Sequence, residues 1–163
     1  MSNEFREIRR QNRILEDENR IIELLESSEY GFLSVGVTEN GYNYGIPLSY
    51  AYDKDSKYLY FHCATEGQKL DLMRQNNKLS FCVVGVTQPI AEKFTTYYES
   101  VIVFGKVSLD LNDEEKRRAL RLLVQKYSKG HEQLGETYME KSWARTSVFK
   151  IEIEHITAKA KYH

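Results

Sequence analysis

The chain is short of the residues that staple, kink or anchor other proteins. Its 163 residues include two cysteines, two prolines and one tryptophan. Cys63 and Cys82 make neither a disulfide framework nor a CxxC motif. So few prolines leave long regular elements uninterrupted. No apolar run approaches the ~20 residues that span a bilayer. The opening Met1-Ser2-Asn3-Glu4-Phe5-Arg6 lacks the apolar stretch of a secretory signal. A reducing cytoplasm is therefore the expected compartment, with no membrane partner. Charge of one sign is missing too: 23 basic against 24 acidic residues give a formal net charge of −1. Such a chain is not built for general attraction to nucleic acid or an anionic membrane. It has no GxGxxG, GxxxxGK[ST], GxSxG or HExxH. That sets aside dinucleotide-fold dehydrogenases, P-loop enzymes, α/β-hydrolases and zincins, and no metal-ligand set emerges around the four histidines.

What remains is a globular composition, 41% hydrophobic and 29% charged, with twelve tyrosines that suit strands and ligand- or interface-lining surfaces. The length fits one domain, 1–163, with an N-terminal arm over 1–16. That arm carries Arg6, Arg9, Arg10 and Arg13 against Glu7. It reads either as a solvated segment or as one lying across an acidic partner or a bound anion. Asp17 opens a helix ending near Ser27. Strands follow at Gly31–Thr38 and, across the Glu39-Asn40-Gly41 turn, at Tyr42–Tyr52. Further strands are expected at Lys57–Cys63, Lys78–Val86, Thr96–Leu111 and Ser147–Lys159, and helices at Thr65–Gln75, after Asn112, and over Glu132–Lys141. Thr87–Phe94 fits no pattern. Helices fall between groups of strands rather than after each one. This predicts a β-dominated α+β fold: an antiparallel sheet or barrel with peripheral helices.

Three places invite chemistry. In the second strand Asn43, Gly45, Pro47, Ser49 and Ala51 share one face, uniformly small, against a bulky face of Tyr42, Tyr44, Ile46, Leu48, Tyr50 and Tyr52. Small side chains let a backbone or flat ligand come close, and Pro47 interrupts the ladder. The alternative is an edge strand that Pro47 protects. Next, His62-Cys63-Ala64-Thr65-Glu66-Gly67-Gln68-Lys69 joins a strand to a helix. Thr65 and Gln68 have the spacing of a capping box. Lys69 would stand in the first turn, where the helix dipole disfavours a cation unless something negative offsets it. Amides, a hydroxyl and a lysine at that end suit a phosphate. The alternative is a lysine in solvent or paired with Glu66 or Asp71. His62 is the candidate proton donor, against the ordinary reading of a structural strand histidine. Cys82 is expected as a small core residue. Trp143 and Arg145 either clamp a ligand or are a packed ring with a surface charge.

Several stretches, taken in order, resemble the pyridoxamine 5'-phosphate oxidase-like FMN-binding split-barrel family, in its 5-nitroimidazole-resistance branch. They are Phe5–Arg10, Gly45-Ile46-Pro47-Leu48-Ser49-Tyr50, Tyr60–Ala64 with Gly67–Asp71, Lys78–Val83, Thr95–Gly105, Glu140–Arg145 and Ile151–Thr157. The resemblance implies an antiparallel split β-barrel homodimer holding FMN, or FAD, at the subunit interface. It implies a flavin ring against Pro47, Leu48 and Ser49. It implies a phosphate at the turn of His62, Cys63, Ala64, Thr65, Gln68 and Lys69, and further contacts from Ser100, Val101 and Trp143. The arginine-rich C-terminal signature of true pyridoxamine phosphate oxidases is missing, and Cys63 replaces the usual serine. The implied activity is a flavin-dependent oxidoreductase passing electrons to a small nitro or quinone acceptor. The alternatives are a non-catalytic flavin- or haem-binding module and pyridoxamine phosphate oxidase itself.

Overall fold

The structure, a computed structural model, describes residues 5–162; Met1–Glu4 of the expected arm, with the start read for a signal, and His163 lie outside the described residues. The strands are β1 (Gly31–Val37), β2 (Asn43–Leu48), β3 (Ala51–Asp53), β4 (Tyr58–Cys63), β5 (Lys78–Val84), β6 (Gln88–Ile90), β7 (Thr95–Ser108) and β8 (Ser147–Lys161). The helices are α1 (Glu18–Ser27), α2 (Gln68–Gln75), α3 (Asp113–Tyr127) and α4 (Glu132–Ser142). The strands form one antiparallel sheet in the order β2-β1-β5-β7-β8-β4-β3, with β6 paired to the start of β7. The patternless Thr87–Phe94 segment thus supplies a short added strand.

The expected strand Tyr42–Tyr52 is two strands, because the chain changes partner inside it. β2 pairs with β1, up to Leu48 opposite Gly31. β3 pairs with β4, from Ala51 opposite Tyr60. Those are the two ends of the sheet, and only Ser49 and Tyr50 separate them. Three Cα steps reach at most about 11 Å. In a flat sheet seven strands would set the outer pair roughly 29 Å apart, at ~4.8 Å per strand. The sheet must therefore curl until its ends nearly meet, yet among the described residues no ladder joins β2 to β3: the barrel is split.

Alternation decides which side chains fill it. Leu33 and Val35 of β1, Phe81 and Val83 of β5, Val101 and Val103 of β7, and Phe149 and Ile151 of β8 point inward and are almost fully buried. Phe61 stacks on Phe149, centroids 4.8 Å apart, and meets the edge of Phe81 at 5.1 Å. Leu24 and Leu25 of α1 and Leu70, Leu72 and Met73 of α2 complete this interior. Cys82 is not in it. Its Cα partners are Phe32 and Ile102, on the outer face, because the strand's inward set is Leu79, Phe81 and Val83.

The helix starts differ in how they are capped. Asp17 accepts from the amides of Asn19 and Arg20 at 3.0 and 3.2 Å, and Asn112 from that of Glu115 at 2.8 Å. The Glu115 carboxylate does not close a capping box. It accepts instead from Tyr60 Oη (2.9 Å) and Lys150 Nζ (2.6 Å), tying α3 to β4 and β8. The expected Thr65/Gln68 box is also absent: α2 begins at Gln68, and its cap is Gly67, at φ 144° and with no side chain to cap with.

β7 and β8 pair along most of their length, with one register shift between Phe104 and Gly105. A Cβ on Gly105 would strike the Glu152 carbonyl oxygen and lie 2.7 Å from Ile151 Cγ2. Gly105→Ala should therefore cost about 1–3 kcal/mol, measured as a lower urea midpoint at unchanged m-value.

Candidate functional site

The break at Ser49–Tyr50 leaves backbone groups without ladder partners, and Tyr127 at the end of α3 takes them up. The Tyr50 amide donates to Tyr127 Oη at 3.0 Å. That hydroxyl in turn faces the carbonyls of Tyr50, at 3.0 Å, and Glu29. Tyr50 itself is buried and donates to the Leu25 carbonyl at 2.6 Å. Continuing the β3–β4 register would set Ser49 opposite His62, but the strands part before reaching that level. Both residues instead line a cleft of about 580 Å³ between this split and helices α3 and α4.

The cleft is apolar. Leu120, Leu123 and Val124 of α3 face Leu134 and Met139 of α4, with Tyr127, Tyr138, His131 and Ser142 around them. His62 lies on the outward face of β4, opposite Val148. Burial pushes its pKa below the ordinary 6.5, so the imidazole is neutral at pH 7. Cys63 points to the interior. Burial raises its thiol pKa while Lys69 draws it the other way, so the ammonium is close by. Lys69 lies in the first turn of α2, and among the described residues it has no ion-pair partner. Asp71, one expected partner, instead faces Arg74 at 3.5 Å.

The remaining expected residues divide. Pro47 is exposed on β2 opposite Phe32, while Leu48 turns its side chain toward the interior. Part of the small face is filled, since a Cβ on Gly45 would run into the Phe32 ring. Ala64, Thr65 and Gln68 are exposed around the start of α2. Ser100 and Val101 are elsewhere. Ser100 pairs with Lys159, far along the 15-residue β8 from Val148, on the order of 35 Å of strand. Val101 is buried in the interior. Trp143 does not reach the cleft: Lys116 and Arg117 cover its ring at 4.2 and 4.8 Å. Among the described residues no three His, Cys, Asp or Glu side chains gather to hold a metal.

Sequence reading missed the α4 wall, His131, Leu134 and Tyr138. Its only signal was the i, i+4 spacing of Leu134 and Tyr138 on a weakly amphipathic helix. It also missed Lys126. The Lys126 Nζ is buried without a hydrogen-bond partner, 3.7 Å above the Tyr50 ring. Burial lowers its pKa to about 8.

The sequence pattern of pyridoxamine 5'-phosphate oxidases matches residues 17–160. The chain belongs to that family. No curated protein matches it in sequence. Among solved structures, a candidate 5-nitroimidazole antibiotic resistance protein from Bacteroides thetaiotaomicron superposes with a TM-score of 0.71 at 23% identity, covering 90% of this chain and 85% of that one. The flavocytochrome Anf3 from Azotobacter vinelandii gives 0.81 at 17% identity, over 99% and 75%. An FAD and heme binding protein from Mycobacterium smegmatis gives 0.72 at 16% identity, over 90% and 72%. These likenesses show that the chain has the family's split-barrel fold. No helix among the described residues is long and apolar enough to cross a membrane.

Lys126, buried over the Tyr50 ring without a hydrogen bond, makes the junction at Tyr50 testable. Its pKa is depressed, so the cost of keeping it charged is full below pH 8 and fades as pH rises toward 10.5. Lys126→Met should raise the melting temperature at pH 7 by about 2–4 °C, the shift that ~1 kcal/mol brings at this size. The gain should shrink between pH 8 and 10.5 in thermal melts.

Proposed function

We propose that the chain is a flavin-dependent oxidoreductase that reduces a small nitro or quinone acceptor. One observation carries this reading. His62 and Ser49 line the open split, and the short loop 64–67 after β4 leads to a helix start whose lysine has no carboxylate partner among the described residues. Pro47 and Ser49 would receive the face of the flavin ring. The phosphate of FMN, or of the FMN half of FAD, would meet Lys69, the first-turn amides of α2 and the Thr65 and Gln68 side chains. Gly67 suits such a turn, because a Cβ there would meet nothing and only its φ demands glycine.

A second copy of the chain belongs to this reading. Pro47, Phe32, Cys82, Ile102 and Thr157 are successive cross-strand neighbours on the outer face of β2, β1, β5, β7 and β8. Pro47 is exposed, and Phe32 is 49% exposed. Such a row suits a homodimer interface. It would let Ser100 and the backbone of Val101 reach the flavin from the other subunit, which no single chain achieves. A reducing compartment such as the cytoplasm would keep Cys63 and Cys82 as the free thiols they are.

The flavin, when bound, supplies the electrons. Taking an aromatic nitro group to nitroso consumes two electrons and two protons and releases water. The chain's own part is to orient the acceptor in the cleft and to deliver protons. His62 is the proton carrier proposed at the cleft, and burial lowers its pKa so that it is mostly neutral at pH 7. Delivery through it should therefore speed up on acidification, levelling off below its lowered pKa.

The test is the absorption spectrum of the purified protein with mass analysis of what heat releases. A flavin spectrum with FMN or FAD mass is expected. Lys69→Ala should weaken FMN binding about 10- to 100-fold, the loss of one charge-assisted hydrogen bond. His62→Gln should lower nitro reduction ~100-fold and remove its acid limb. No chromophore and no uptake of added FMN or FAD would overturn the proposal. A Soret band would instead assign the cleft, with the imidazoles of His62 and His131 on its wall, to haem.

A further inference from the structure

In a chain with 29% charged residues, the wall of the cleft holds no Asp, Glu, Lys or Arg. Cations of α3 are close in sequence but turned elsewhere. Lys116 lies over Trp143, and Arg117 bonds Glu140. Arg118 bonds Asp53, and Arg121 bonds Glu136. The polar groups left on the wall are hydroxyls and the imidazoles of His62 and His131. The volume, about 580 Å³, is that of a small-molecule site.

Two kinds of residue build the wall. Leu123 and Met139 are buried and hold the helices to the fold. Leu134 and Tyr138, one turn apart on α4, are 67% and 66% exposed although they line the cleft. Large apolar groups left open at the rim of a concave site are placed for a ligand rather than for the core. Gly135 allows this arrangement, since a Cβ there would stand 2.9 Å from Val124 Cγ1 and push α4 off α3.

Resting on the flavin reading, we infer that this cleft is the acceptor pocket, that it admits uncharged planar ligands and rejects anionic ones, and that Leu134 and Tyr138 of α4 set this selectivity. The warrant is desolvation. An anion entering the cleft gives up water and finds no cation on its wall, the Lys126 ammonium being held over the Tyr50 ring instead, whereas an uncharged ring gains contact with two phenols and an aliphatic wall. The same lining disfavours a phosphorylated substrate at this position.

A matched pair of probes tests it: 4-nitrobenzyl alcohol, uncharged, and 4-nitrobenzoate, its anionic congener. Titration calorimetry should show the wild type binding the alcohol ~10-fold or more tightly than the acid. Leu134→Lys changes an exposed side chain and adds the missing cation, so it should shrink that ratio about tenfold. Leu134→Gln, polar but uncharged, should leave the ratio in place. Equal binding of the two probes, or a ratio that Leu134→Lys leaves unchanged, would overturn the inference, as would a Soret band showing the cleft filled by haem. Flavin content is read from the visible spectrum of the same samples. Flavin bound with a flat ratio overturns this inference alone. A preserved ratio without flavin upholds the charge selectivity and overturns the flavin reading.

Discussion

Tyr127 carries a single phenolic proton, so its hydroxyl accepts from the Tyr50 amide while donating to only one of the two carbonyls beside it, those of Tyr50 and Glu29. That small set of bonds sits where the chain leaves β1's partner strand and becomes β4's. Without it the Tyr50 backbone would be buried and unsatisfied, an arrangement that costs more than the bonds themselves contribute. The split of the barrel, the cleft beside it and the seating of α3 all depend on this one junction.

Charge within the fold follows from burial and partners. Glu99, deep on β7, is held ionised by a two-pronged bond from Arg20 at 2.8 and 2.6 Å and sits below the usual carboxylate range. His62 has no such partner and loses its proton to burial. The cleft at the split is thus lined without a formal charge among the described residues, while Lys69 stands outside that lining at the start of α2.

Much of the fold was legible because its strands alternate strongly and its turns carry explicit signals: Asn40-Gly41, Asp53 before Tyr58, Asn112 before α3. The partner change at Ser49–Tyr50 was not legible. Local alternation runs straight through Tyr42–Tyr52, and what divides it is Tyr127, 77 residues away. The same limit governed the site. Ser49 and His62, which line the cleft, could be named from side-chain size and strand phase. The α4 wall could not, because a loosely patterned helix does not say what it faces until α3 is beside it. Trp143 takes the packed-ring alternative within this chain, its ring covered by Lys116 and Arg117 of α3.

The strand order has a consequence for how the protein is made. β8 leaves the ribosome after the other strands described, yet it lies between β7 and β4 in the middle of the sheet. Until it emerges, β4 has only three-residue β3 for a neighbour, and the long β7 waits with one open edge. Synthesis therefore presents two unfinished sheet fragments that only β8 can join. Such edges invite pairing with other chains, and their closure over so many intervening residues is slow. A ribosome stalled before Ser147 would hold a chain with most of its core side chains and no barrel.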